Sequence, residues 1–297
     1  MGAKLRIVRR RIRSVQSTKK ITRAMELIAS SRIVRAQQRV ESSRPYAEEL
    51  TRVMEDVASR SASLDHPLLE ERETPARVGV LVVTSDRGLA GAYNANVLKV
   101  GEELVREARR RGLDPVLYVI GKKGVGYFRF RGVAMEETWQ GFSEVPPYDE
   151  AVGIGRRLIE DFAARTIDEL HCAYTDFRSA FTLRATAKRF LPIAPEEVSG
   201  DRGGTVPAEY LFEPEPAEIL DHLLPQYLIT KVYAALLESA ASENAARRRA
   251  MKAATDNADE LIKILTRQAN RARQDEITTE ILEIVGGAEA LSATREE

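Results

Sequence analysis

The chain has 297 residues with 45 basic and 45 acidic side chains, so its zero net charge does not by itself imply a polyanionic partner. A single cysteine, Cys172, excludes an internal disulfide and is typical of a protein from a reducing compartment. Three isolated histidines lack metal-ligand spacing, and no apolar run approaches the roughly 18 residues of a membrane span, so we expect a soluble intracellular protein.

The first predicted element is a long basic coiled-coil helix over residues 1–60. Twelve Lys or Arg and one acid lie between Met1 and Val40, which gives a local net charge of 12 − 1 = +11. Apolar or small residues recur with a mean spacing of about 3.5, the period of a coiled-coil seam. The seam positions are Leu5, Val8, Ile12, Val15, Thr18, Thr22, Met25, Ala29, Ile33, Ala36 and Val40. Pro45 is expected to kink or interrupt the helix, because it removes a backbone hydrogen bond.

The pattern changes after a predicted linker at 61–76. Strand-like segments over 77–212 include "RVGVLVVTS", "DPVLYVIG", "DELHCAYT", the region Val133–Trp139 and "AFTLRATAKRF". Helices are predicted between them, the last over about Asp149–Arg165. This alternation is typical of a small central α/β domain with a mostly parallel sheet. The segment "VSGDRGGTVP" is predicted to be a surface loop.

The third element is a second long helix over 213–291, followed by a tail at 292–297. Pro216 suits a helix start, and Pro225 is expected to start or kink a helix. The middle of this helix is rich in alanine, and small side chains let two helix backbones approach closely. The seam is expected to contain Ala246 and Ala250 and to leave Ala258 exposed.

Neither long helix can bury its apolar stripe alone, and the two match in length. We therefore predict that they form a long antiparallel coiled coil, closed by the domain between them. The predicted fold class is α/β: N- and C-terminal coiled-coil helices plus a small central α/β domain with a mostly parallel sheet.

The turn "SDRGLAGAYNAN" follows a strand and precedes a helix, where phosphate-binding loops occur. Its glycines are spaced G-x-x-G, which matches neither the dinucleotide fingerprint nor the phosphate loop. Asp86 and Arg87 are therefore expected to cap or pair locally. No nucleophile has a base beside it in the pattern, so we expect no catalytic residues, no cofactor and no metal.

Two other functions remain open from the residues alone. The basic first helix would suit a cytosolic coiled-coil protein that binds nucleic acid, in which case binding should depend strongly on salt. A small nucleotide-dependent enzyme would instead need a ligand bound at Ser85–Asn96.

Five segments, in order along the whole chain, resemble those of the γ subunit of bacterial F-type ATP synthases, the central stalk of a rotary motor. These segments are "RIRSVQSTKKITRAMELIASS", "VTSDRGLAGAYNANV", "EYLFEPEPAEILDHLL", "ASENAARRRAMKAATDNADELI" and "ITTEILEIVGGAEAL". Chloroplast members carry an inserted loop with two cysteines, which this chain lacks, so thiol regulation is not expected.

The resemblance implies a rotor shaft that couples proton flow through the membrane c-ring to conformational cycling of the catalytic β subunits. The terminal helices would lie inside a ring of α and β subunits, and the α/β domain would meet the ε subunit and the c-ring. It also implies a peripheral protein at the cytoplasmic face of the bacterial cell membrane, with no transmembrane segment and no nucleic-acid partner. Catalytic residues would belong to the ring.

The resemblance further implies a set of partner-binding residues. Those that would contact the acidic levers of the β subunits are Arg9, Lys20, Met25, Glu26, Arg247, Arg267, Gln268 and Thr278. Tyr210 and Glu213 would belong to the foot that faces the membrane ring. Met25 also lies on the apolar seam, so a role in the core stays open for it.

Overall fold

The computed structural model of the chain describes residues 3–58, 66–177, 179, 182–194, 197 and 216–293. The elements are α1 (Ala3–Ala58), β1 (Arg77–Val83), α2 (Tyr93–Arg110), β2 (Asp114–Ile120), α3 (Lys122–Phe130), β3 (Glu137–Trp139), α4 (Tyr148–Ala163), β4 (Glu169–Phe177), β5 (Leu183–Leu191) and α5 (Pro216–Ala293). The loop predicted at 198–207 and the foot residues Tyr210 and Glu213 lie outside the described residues.

The chain divides into two compact units. The helical unit consists of Met1–Ile28 and Arg248–Glu297, and the domain unit consists of Ala29–Arg247. This division falls inside α1 and α5, whereas the predicted boundaries near residues 60, 77 and 212 follow changes in the sequence pattern.

Both long helices continue through their prolines, so the expected interruption at Pro45 and the alternative start at Pro225 were wrong. A proline removes one backbone hydrogen bond, but apolar packing on both sides can offset that loss. After Pro45, Met54 and Val57 are fully buried, and just before Pro225 so is Leu224. Pro216 is the first residue of α5, where a missing N–H costs nothing.

In the helical unit, α1 and α5 run antiparallel. The Oγ1 atoms of Thr22 and Thr255 are 2.7 Å apart, and Lys19 Nζ lies 2.5 Å from Asp259 Oδ1, so residue numbers fall on one helix as they rise on the other. Buried residues of α5 recur at steps of four, three and seven, as in a coiled coil. They are Met251, Thr255, Ala258, Leu265, Ala269 and Ala272. The predicted antiparallel seam is therefore confirmed.

The alanine-rich part of α5 packs differently from the prediction. Ala258 is buried on the seam, three residues beyond Thr255, and the expectation that it is exposed was wrong. Ala246 is buried as expected, but within the domain unit, where it packs against Ala90 and Tyr93. Sequence spacing alone could not separate these environments, because the helix is rich in alanine throughout this region.

The five-stranded sheet has the order β3-β2-β1-β4-β5. Three of its pairings are parallel, with Val80 of β1 opposite Leu117 of β2 and His171 of β4. Only β5 is antiparallel, to β4. The few residues between Phe177 and Leu183 are too short for the crossover that a parallel partner requires. The predicted mostly parallel sheet is confirmed.

Alternate residues of the central strands face two apolar layers. On β1, Val80 and Val82 face α2 and α3, whereas Leu81 and Val83 face α4 and the long helices. The second layer draws on α1 and α5 through Leu50, Met54, Val57, Leu220, Leu224, Leu228, Val232 and Leu236. The long helices therefore supply the cover that one face of this sheet needs.

Candidate functional site: the first turn and the exposed helix surfaces

The turn after β1 is closed by its own hydrogen bonds. Leu89 and Gly91 adopt the left-handed conformation, with φ of 61° and 57°. The Ser85 hydroxyl donates to the carbonyl oxygen of Arg87 at 2.6 Å, and the Ser85 N–H donates to Asn94 Oδ1 at 3.0 Å. Both Ser85 donors are thus already engaged within the turn.

Asp86 anchors this turn to the neighbouring loops. Its carboxylate accepts backbone N–H groups from Lys122, Gly141 and Ser143 at 2.9–3.1 Å. Partial burial acts to raise the pKa of Asp86, but these hydrogen bonds outweigh it and leave the pKa below its ordinary value. Asp86 thus caps the first residue of α3, but its partners are 36, 55 and 57 residues away along the chain, so the expectation of a local partner was wrong.

A cluster of ionic side chains lies beside the turn, within the domain unit. This Glu144 cluster comprises Glu144, Arg32, Arg87, Arg247 and Glu243. Arg247, implied as a lever contact, is only 5 % exposed and lies 2.5 Å from Glu243 Oε1. Burial raises the pKa of Glu243, although the charge of Arg247 opposes this shift. The structure therefore places Arg247 in internal ion pairs.

A half-buried acid, Glu238 of α5, lies near the end of β4. Burial and then the negative charge of Asp176 raise the pKa of Glu238 to about 7, against the opposing charge of Lys188. Its Oε2 atom has no hydrogen-bond partner among the described residues. A carboxyl group in this position weakens the folded state once it ionises.

This environment predicts how stability depends on pH. Between pH 4.5, the ordinary pKa of a glutamate, and about 7, the folded chain holds a proton on Glu238 that the unfolded chain has lost. The free energy of unfolding should therefore fall as the pH rises through this window and level off above it. We expect Glu238→Gln to flatten this slope and to stabilise the chain by about 1 kcal/mol at pH 8.

Denaturant unfolding of both proteins at several pH values measures the effect. Glu260→Gln, on the exposed face of the same helix, is the matched control and should leave the pH profile unchanged. A wild-type stability that rises between pH 5 and 7 more steeply than that of Glu238→Gln would contradict the assignment.

The implied lever residues differ in exposure. Arg9, Lys20, Arg267, Gln268 and Thr278 are exposed, as a partner contact requires. Met25 is half-buried, which leaves both of its roles open. Glu26 is also half-buried, and its Oε2 accepts a hydrogen bond from Arg23 Nη1 at 2.9 Å.

Large apolar side chains are also exposed on both long helices. The predicted seam does not include them. They are Ile7, Ile21, Leu27, Ile28 and Val34 on α1, and Leu261 and Ile264 on α5. They lie off the coiled-coil stripe. The sequence could have revealed them as apolar residues at positions that the seam spacing does not include. Both long helices therefore carry exposed apolar side chains in addition to the buried seam.

The end of α5 shows the same property more strongly. Ile277, Ile281, Leu282, Ile284 and Val285 are 45–72 % exposed on adjacent turns. Ile277, Ile281 and Ile284 are spaced by four and three residues, and Leu282 and Val285 flank them, so the five form one broad apolar stripe. None of these side chains is covered by another described part of the chain.

Within the described ranges, none of the helices combines the length and apolar character needed to cross a bilayer. The same residues do not bring together three or more His, Cys, Asp or Glu side chains in a metal-binding group.

Known proteins match the chain over nearly its whole length. The sequence profile of the family described as ATP synthase matches residues 4–291. The chain is 57 % identical to the ATP synthase gamma chain of Acidothermus cellulolyticus, with all of both chains covered. It is 54 % identical to that of Mycolicibacterium smegmatis, over 99 % of this chain and all of the relative. These relatives lend no support to the nucleic-acid alternative.

Solved structures agree in fold. One chain from the OSCP, F1 and c-ring assembly of the Euglena gracilis mitochondrial ATP synthase gives a TM-score of 0.68 at 17 % identity, covering 100 % of this chain and 97 % of that chain. A chain of the Tetrahymena thermophila central stalk and c-ring gives 0.57 at 23 % identity, covering 79 % and 99 %. At these identities the likeness shows the fold alone. With the profile match and the sequence identities, it follows that the chain belongs to the ATP synthase gamma chain family.

Proposed function

We propose that this chain is the central rotor shaft of an F-type ATP synthase and couples proton flow through the c-ring to conformational cycling of the β subunits. The observation that carries this proposal is the exposed apolar stripe Ile277–Val285 at the end of α5. An apolar helix end without cover in its own chain fits the apolar collar of an enclosing ring. Membership of the ATP synthase gamma chain family supports the same assignment.

The shaft acts by mechanical coupling. An asymmetric pair of helices presents a different surface to each β subunit, so each β conformation has a different interaction energy with the shaft. Rotation then shifts the populations of those conformations in turn. In this mechanism bond making and breaking take place in the ring, and this chain contributes contacts rather than catalytic groups.

The charged contacts of the shaft are assigned to its exposed cations. Arg9, Lys20 and Arg267 are exposed, and the local charge of +11 over Met1–Val40 would attract acidic levers on the β subunits. Gln268 and Thr278 extend this surface on α5. Arg247 is assigned an internal role instead, because its guanidinium is buried against Glu243.

The α/β domain is assigned to partners other than the ring of α and β subunits. We place the ε subunit and the c-ring on it, with Tyr210 and Glu213 in the foot. The protein would thus act at the cytoplasmic face of the bacterial cell membrane as a peripheral subunit. These partners rest on family membership and not on a contact within the chain.

Polar substitutions in the apolar stripe test the proposal. In the double variant Ile281→Ser with Leu282→Ser, we expect the free chain to unfold with an unchanged free energy, within about 0.5 kcal/mol, because both side chains are exposed. Its affinity for the ring of α and β subunits should fall about tenfold or more, because apolar burial is lost on assembly. ATP-driven proton pumping by vesicles with the assembled enzyme should fall in parallel.

The matched control is Glu280→Ser on the same turn of α5, which removes an exposed polar side chain. It should assemble and pump as the wild type does. Full assembly and pumping by the double serine variant would show that the ring does not enclose this stripe, and the shaft assignment would fail.

A further inference from the structure

The Glu144 cluster joins three separate parts of the domain unit at one carboxylate. Glu144 lies in the loop between β3 and α4, and its Oε2 atom is 2.5 Å from Arg32 Nη1 of α1 and 3.8 Å from Arg87 Nη1 of the first turn. Its Oε1 atom is 3.4 Å from Arg247 Nη1 of α5. One side chain of the α/β part thus contacts both long helices.

Arg247 extends this junction to a second carboxylate and to the turn. Its Nη2 atom lies 2.5 Å from Glu243 Oε1 and 3.4 Å from the carbonyl oxygen of Gly88. The side chains of Arg247 and Glu243 are 6 % and 1 % exposed, so the pair is shielded from water. A buried ionic network of this kind contributes rigidity and a defined geometry more than net stability.

The position of the cluster gives it a distinct role. Arg247 is the last residue of the domain unit, and Arg32 lies within a turn of Ala29 at its other boundary. The large apolar core reaches only Leu236 on α5 and begins at Leu50 on α1. Within the domain unit, the ends of α1 and α5 near Ala29 and Arg247 contact the α/β part through the Glu144 cluster and through small side chains such as Ala246.

We propose that Glu144 is a positioning residue of the rotor, which makes the junction between the α/β domain and both long helices torsionally stiff. This inference rests on the proposed rotor function. Torque generated on the helices has to reach the α/β domain. A compliant junction would twist under this torque and transmit less of it to the α/β domain. Neutralising Glu144 would leave Arg32 and Arg247 without their shared counter-charge and loosen this end of the domain unit.

The test measures angular fluctuation in the assembled enzyme. A bead is attached to the α/β domain through Lys99→Cys on the exposed face of α2, and the ring is held without turnover. Cys172 is fully buried and should not compete for the label. In Glu144→Gln, we expect the angular variance of the bead to rise about twofold or more, because the ion pairs that join Glu144 to Arg32 and Arg247 are lost. Proton pumping per ATP hydrolysed should fall with it.

Glu136→Gln is the matched control. Glu136 also forms an ion pair, 3.4 Å from Arg157 Nη2, but this pair lies within the α/β domain and touches neither long helix. The angular variance of the bead in Glu136→Gln should equal that in the wild type. If Glu144→Gln fails to assemble, Arg32→Gln is measured in its place, because it removes the shortest contact of Glu144 and leaves the buried pair of Arg247 intact.

The outcomes distinguish a failure of the rotor function from a failure of the role proposed for Glu144. A wild-type enzyme whose bead does not rotate on addition of ATP would overturn the rotor function itself. A rotating wild type with an unchanged variance in the assembled variant would overturn the role of Glu144 alone. A loss of thermal stability without a change in variance or in pumping per ATP would show that the cluster is only a folding contact.

Discussion

A disulfide that ties α1 to one β subunit of the assembled enzyme is expected to stop ATP hydrolysis almost completely. The cysteine is placed by Lys20→Cys, at an exposed position of α1, with a partner cysteine on the facing lever of the β subunit. If the chain must rotate for every site to turn over, a covalent tie to one subunit halts them all. Reduction should restore the rate, and the measurement is steady-state ATP hydrolysis before and after oxidation.

The structure makes this test selective. Cys172 is fully buried on β4, and burial raises the pKa of its thiol, so it should neither cross-link nor need replacement. A disulfide forms only if the two Cα atoms approach within about 7 Å, so a high yield itself reports correct docking. Lys20→Cys without a cysteine on the β subunit is the control. Continued hydrolysis at the full rate in a cross-linked enzyme would show that the chain is a static scaffold.

Two glycines of α4 are expected to respond oppositely to the same substitution. A Cβ atom at Gly155 would lie 2.6 Å from Cγ1 and 3.2 Å from Cα of Ile229, so α4 and α5 would have to separate. We expect Gly155→Ala to lower the free energy of unfolding by about 1–3 kcal/mol, as overpacking of a core does. The docking of α4 on α5, which helps to hold the domain unit together, would weaken with it.

Gly153 provides the matched control two residues away on the same helix. A Cβ atom there meets nothing within 4 Å, so Gly153→Ala adds helix propensity without a clash. It should raise the free energy of unfolding by about 0.5–1 kcal/mol. Denaturant unfolding monitored by circular dichroism measures both variants. Equal shifts of the same sign would mean that α4 does not contact α5 as closely as the structure indicates.

The sequence by itself determined the elements and the class of the fold. The buried-strand pattern of "RVGVLVVTS", a nearly continuous apolar run, predicted β1. The spacing of about 3.5 residues predicted the seam that contains Leu5, Thr22 and Ile33. These features are local, because the side-chain period of a strand or helix depends only on residues close together in the sequence. The partners of Asp86 were not accessible in this way, because they lie 36, 55 and 57 residues away along the chain.

The tertiary structure alone decided which polar residues meet. Arg247 and Lys20 both carry a positive charge on a long helix, yet one is buried in ion pairs and the other is exposed. Glu144 had no signal at all in the sequence, because its partners Arg32 and Arg247 are about a hundred residues away on either side. Ala246 and Ala258 look alike in composition but pack on different units of the chain. Such environments depend on how separate elements dock, and periodicity carries no information about contacts between residues so far apart in sequence.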